Sequence, residues 1–159
     1  MYFYCSYFDK QNNSKKMHKI GLAILLFFSI HTINAQEWFS DLETAKNVAV
    51  EKNEKIILVF QGSDWCAPCI KLNTEIWSTP EFVAYAKNHF VMLKADFPRK
   101  GKNKLSETQQ QENINLMEKY NKPGFFPYVV VLDQKGKVLG NTGYKKMDPK
   151  TYIELLNSF

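Results

Sequence analysis

The chain is 159 residues long, 45% hydrophobic and 23% charged, with a formal net charge of +5 and three cysteines. Four lysines (Lys10, Lys15, Lys16, Lys19) against one acid (Asp9) put three of those charges in residues 1–35, leaving +2 for the rest. That remainder excludes the basic footprint of a nucleic-acid binder, and its length suits one domain with a sizeable core.

Met17-His18-Lys19 forms a short basic head, Ile20 to Ile30 is almost wholly apolar, and Ala35 ends a small polar segment before Gln36. This pattern predicts a signal peptide over residues 17–35 with cleavage after Ala35, hence export to the periplasm. The apolar core is shorter than the roughly 20 residues of a membrane-spanning helix, so membrane attachment would require an uncleaved leader. Residues 1–16 would then precede the true start at Met17, and Cys5 would leave with the leader.

In the mature part, Ser40-Asp41-Leu42-Glu43 reads as a capping box, with Ser40 as the cap of a helix over about 41–52. Ile56 to Phe60 is a continuous apolar run, as expected of a strand covered on both faces. After Cys66 and Cys69, Ile70, Leu72, Ile76 and Trp77 continue a helix that Ser78-Thr79-Pro80 interrupts. Thr79 as cap and Pro80 in the first turn restart it through Phe82 and Tyr85. Phe90 to Asp96 is a second strand. A basic loop follows with Arg99, Lys100, Lys102 and Lys104, then a second capping box, Ser106 with Gln109, and a helix facing inward through Ile114, Met117 and Tyr120. Tyr128–Leu132 and 138–141 form a hairpin about a turn at 134–137. Asp148-Pro149 opens a last helix with Tyr152, Leu155 and Leu156 on one face. The order α, β, α, β, α, β, β, α describes an α/β domain, a mixed central sheet flanked by helices.

The chemistry concentrates in "FQGSDWCAPC", residues 60–69. A bridge across two intervening residues closes too small a loop to stabilise much. Pro68 lacks an N–H and is tolerated in a first turn but not in a helix interior, so helix entry falls at Cys66 or just before it. There, unpaired N–H groups and the positive end of the helix dipole favour a thiolate, and Cys69, one turn on, lies beside it and deeper. Three readings of the pair stand. It can be a redox couple, two buried structural thiols, or half a metal site. The last lacks ligands, since the mature part offers only His89 and no further cysteine. The first is favoured.

"WCAPC" after an apolar strand resembles the thioredoxin superfamily, and Gly62-Ser63-Asp64-Trp65-Cys66 resembles secreted members akin to the reductase domain of transmembrane disulfide reductases. The resemblance implies a thioredoxin-like fold over about residues 38–158 and an exported thiol–disulfide oxidoreductase that reduces protein disulfides. Cys66 would be the nucleophile and Cys69 the resolving thiol, with Trp65 shielding them and Pro68 shaping the helix entry. It also implies a cis Phe126-Pro127 bond that leaves the Phe126 backbone free to pair with substrate. No small-molecule cofactor is implied, but turnover needs an electron donor, expected to be a membrane protein.

Two departures qualify this. The buried acid that thioredoxins carry six positions before the first cysteine is Phe60 here, while Lys94 resembles the lysine that accompanies it. Asp64 reads as a helix cap, with a substitute proton acceptor as its second reading. Asp96 and Pro127 stand 31 positions apart, about twice the spacing the resemblance implies, so residues 97–120 read as an insertion, either a surface decoration or a dock for an acidic partner. Trp38 and Trp77 read as core. The other functional readings are a redox-inert binding or scaffold module and an oxidant that introduces disulfides.

Overall fold

The computed structural model describes residues 36–159; the leader, its cleavage site and Cys5 lie outside the described residues. Helix α1 (Leu42–Lys52) starts at Asp41 rather than Ser40. The Asp41 carboxylate accepts from the Thr44 N–H at 2.6 Å, and Thr44, through its side-chain hydroxyl first and this N–H second, holds the carboxyl pKa below the ordinary value. The Ser40 carbonyl accepts instead from Gln109 Nε2 at 3.0 Å. The helix ends on Asn53 in the left-handed region, φ 56°, a stop that asparagine tolerates better than most residues.

Strand β1 (Lys55–Gln61) lies at the centre of a four-stranded sheet of order β2-β1-β3-β4. It runs parallel to β2 (Phe90–Asp96) and antiparallel to β3 (Tyr128–Leu132), which pairs with β4 (Val138–Thr142) as the expected hairpin. A feature without a sequence signal extends the β2 edge: Phe39 N donates to the Met92 carbonyl and Lys94 N to the Phe39 carbonyl, at 2.8 and 2.9 Å.

The continuous apolar run of β1 serves two cores at once. Ile57 and Val59 face α2 (Ala67–Leu72), α3 (Pro80–Ala86) and α5 (Pro149–Asn157) through Leu72, Trp77, Phe82 and Tyr152. Ile56, Leu58 and Phe60 face α1 and α4 (Glu107–Tyr120) through Ala45, Leu116 and Tyr120. All five β1 residues are fully buried. Each contributes about 1.5–3 kcal/mol, which makes β1 the rigid support from which the cysteine segment projects.

Three segments differ from expectation. On α4 the buried residues are Asn113, Leu116 and Tyr120, with Ile114 and Met117 only half-buried. Asn113 turns inward because its Nδ2 donates to the Asp96 carbonyl at 2.8 Å. Ser106 caps α4 through the Gln109 N–H, but the Gln109 side chain reaches Ser40 and Asn113 instead of closing the box. Past α2, residues Asn73–Trp77 form a π-turn. It buries Ile76 and Trp77, while Ile70, in the α2 turn before it, is 46% exposed. On α5, Ile153 is buried and Leu155 only half-buried. Among the described residues no helix is long and apolar enough to cross a membrane.

Candidate functional site

The cysteine segment leaves β1 through a tight turn in which the Gly62 carbonyl accepts from the N–H groups of Trp65 and Cys66, at 3.3 and 2.9 Å. Gly62 permits this because the Trp65 indole crosses it. An added Cβ would lie 2.6 Å from Trp65 Cζ2 and nearer still to Cε2 and Nε1. Ser63 anchors the turn to the end of β2, its N–H and Oγ donating to the two Asp96 carboxylate oxygens at 2.9 and 2.6 Å.

Cys66 is the N-cap of α2 and Pro68 sits in its first turn, where the sequence places helix entry. Cys66 Sγ accepts from the Cys69 N–H at 3.3 Å, and the two sulfurs are joined as a disulfide. Exposures of 4% and 3% make the expected contrast in burial slight, since the bonded sulfurs share one enclosure. In the dithiol form the same N–H and the helix start lie beside Cys66 Sγ, an arrangement that favours negative charge on sulfur.

Trp65 forms one wall. Its Nε1 donates to the Phe97 carbonyl at 2.7 Å, its ring packs against Phe126 with centroids 5.6 Å apart, and the Arg99 guanidinium lies 3.7 Å from its centroid. Phe126-Pro127 is cis, as the resemblance implies. Among the described residues no hydrogen bond engages the Phe126 N–H or carbonyl. The Pro127 carbonyl faces Gly143, where a Cβ would approach to 3.2 Å. Next to it, the Tyr144 hydroxyl donates to Glu75 at 2.6 Å, and that bond raises the tyrosine pKa.

Asp64 caps no helix. One oxygen accepts from Arg99 N at 2.9 Å; the other accepts from Lys100 N and Asn103 Nδ2, each at 2.9 Å. The Arg99 N–H is the first cause of an Asp64 pKa below its ordinary value of 3.8. A carboxylate so engaged pins the basic loop and is aimed at that loop rather than at Cys69. Lys94 is also elsewhere than the resemblance implies. It pairs in register with Val59 while Phe60 pairs with Ala95, so alternation along the strands puts Lys94 and Phe60 on opposite faces of the sheet. The Lys94 ammonium lies 5.7 Å from the Trp38 ring centroid, and Trp38 meets Trp77 edge to face at 6.3 Å. The place of the missing acid is filled by the buried Phe60 ring, packed on Tyr128 at 6.4 Å.

Of the residues gathered by sequence reading, Cys66, Pro68 and Cys69 lie at the start of α2 and Phe126, before Pro127, packs on Trp65. Sequence reading missed Gly62, the Phe97 carbonyl, Gly143 and Tyr144. Of these only Gly62, directly after an apolar strand, carried a local signal. Among the described residues no group of three or more His, Cys, Asp or Glu side chains assembles as a metal site.

A central mixed sheet, a vicinal cysteine pair at a helix start and a cis Phe126-Pro127 bond whose phenylalanine packs on Trp65 define a thiol–disulfide oxidoreductase of thioredoxin type. The chain belongs to the thioredoxin-like domain family, whose model matches residues 42–159. It is 34% identical over 122 residues to the disulfide bond reductase DsbH of Chlamydia pneumoniae, covering 77% of this chain and 71% of that one. It is 26% identical over 138 residues to the thioredoxin-related protein DsbJ of the same organism, 82% of this chain but only 39% of the longer relative. A solved DsbH oxidoreductase superposes with a TM-score of 0.71 at 35% identity, covering 80% of this chain and 87% of that one. The oxidised C-terminal domain of Neisseria meningitidis DsbD shares the fold, with a TM-score of 0.52 at 18% identity over 77% and 98% of the two chains.

Proposed function

We propose that this protein is an exported, periplasmic reductase of protein disulfides, with Cys66 as nucleophile and Cys69 as resolving thiol. The Cys66 thiolate attacks one sulfur of a substrate disulfide, forming a mixed disulfide and expelling the other substrate sulfur as a thiolate. Cys69 then attacks Cys66 Sγ and expels the first substrate sulfur, and the Cys69 proton passes to a released thiolate. Two electrons move from protein to substrate, leaving the Cys66–Cys69 disulfide.

The observation that carries this reading is the placement of Cys66 as the α2 cap, directly after Trp65, whose ring packs on Phe126 of the cis Phe126-Pro127 bond. There the unengaged Phe126 backbone can pair with an extended substrate strand. Trp65 screens the sulfurs, and Pro68 fixes the helix start. The direction is supported by proline before the second cysteine, the pattern of reducing thioredoxins, and by the name of the 34% identical relative. Regeneration of the dithiol requires a donor, for which a membrane protein is the candidate.

Trapping tests the assignment. Cys69→Ser should accumulate mixed disulfides with exported proteins, resolved by added dithiol, while Cys66→Ser should accumulate none. Equal trapping by the two variants, or none by either, would overturn the assigned roles.

A further inference from the structure

The loop that follows β2 is held in an unusual way for a surface segment. Three donors converge on Asp64, and the Phe97 N–H and carbonyl are tied to Gln61 and Trp65. This frame carries Arg99 onto the outer face of the Trp65 indole, 3.7 Å from its centroid, while the ring also packs against Phe126. A guanidinium stacked on an indole keeps its N–H edges open, because stacking uses only its planar face. Among the described residues the Arg99 guanidinium makes no hydrogen bond or ion pair; the single ion pair there is Lys46–Glu43.

Asp64, Asp96 and Glu75 remain carboxylates, but none of them pairs with the Arg99 guanidinium among the described residues. Asp64 is spent on the loop, Asp96 on Ser63, and Glu75 on Tyr144. The geometry points to Arg99 as a substrate-selecting residue that recognises an acidic side chain beside the target cysteine of an extended peptide. This rests on the proposed reduction of protein disulfides and assigns that site its substrate class. Ordering is largely complete before substrate arrives, since the stack and the Asp64 clamp hold the loop. A carboxylate can pair bidentately with the open edge of the guanidinium.

Single-turnover oxidation of the dithiol form tests this, with short disulfide peptides identical except for Glu, Gln or Lys next to the reactive cysteine. The expected second-order rate constants fall in the order Glu, Gln, Lys, with a Glu-to-Lys ratio of about three to ten, as for an exposed charge pair replaced by a repulsion. In Arg99→Gln the Glu-to-Lys ratio should collapse towards one. Lys102→Gln, a nearby charge with no stacked anchor, should keep the ratio. A ratio of one in the unaltered protein would overturn the inference, as would one that survives Arg99→Gln or is lost equally in Lys102→Gln. Failure to oxidise with even the Gln peptide would instead sink the reductase reading beneath it.

Discussion

Gly62→Ala should damage the site without touching either cysteine. The new methyl would stand 2.6 Å from Trp65 Cζ2, closer than real Cβ atoms approach, and nearer still to Cε2 and Nε1. Neither β1 nor the Cys66 turn can shift easily, because Gly62 is buried and its carbonyl holds both the Trp65 and Cys66 N–H groups. The indole must therefore swing away, giving up its bond to the Phe97 carbonyl, the Arg99 stack and the Phe126 contact. Separately these contribute about 0.5–1.5 kcal/mol for the hydrogen bond, about 0.5–1 for the exposed cation–π contact and about 0.5–1.5 for the aromatic pair. Water recovers part of this for a half-exposed ring, so the expected loss is about 1–2 kcal/mol. Urea denaturation of the disulfide form measures it, and the Trp65 indole N–H resonance reports whether the bond to Phe97 survives. Unchanged stability with an unmoved resonance would refute the steric argument.

Other outcomes follow from the same contacts. Asp64→Ala should release the basic loop and speed amide exchange at Arg99 and Lys100, the two backbone donors it holds. Because the Asp64 pKa lies below 3.8 in the folded protein, its clamp is fully present above that unfolded value and is lost as pH falls through the lower folded one. Exchange at those amides should therefore rise only in strong acid. Glu54 behaves oppositely: burial raises its pKa above 4.5, and Oε2 has no partner among the described residues. The folded state thus holds its proton more tightly than the unfolded one, and stability falls as pH rises from 4.5 through the raised value. Glu54→Gln should stabilise the protein at neutral pH and lose that advantage below 4.5, which thermal melts at two pH values will show. Trp77→Ala, at a residue only 2% exposed that meets Phe82 and Tyr152 edge to face, should cost about 3–5 kcal/mol in urea.

What was legible in the sequence was what local chemistry dictates. Phe90–Asp96 and Tyr128–Leu132 are strands over those residues because an apolar run between polar ends has few other ways to bury itself. Thr79 and Asp148 cap helices that begin with proline, a signal written within a few adjacent residues. The misreadings arose where a distant group decided the matter. Asp64 looked like a cap until its partners proved to be 35, 36 and 39 positions away. Asn113 faces inward for the sake of the Asp96 carbonyl, which no helical period could foretell. The π-turn at Asn73–Trp77 buries Ile76 and Trp77 while Ile70, in the α2 turn before it, stays exposed, and a single added residue in a helix leaves no mark in composition. Lys94 was misplaced because its role depended on register: one position along β2 would have put it on the face of Phe60.

The central claim is that Cys66 and Cys69 form a couple poised to reduce. Its direct test is the reduction potential of the chain from Gln36 onward, equilibrated in thiol–disulfide buffers of graded ratio with the free thiols trapped and counted. The account predicts a value near the thioredoxin level of about −270 mV, whereas one near about −120 mV would make the protein an oxidant and contradict it.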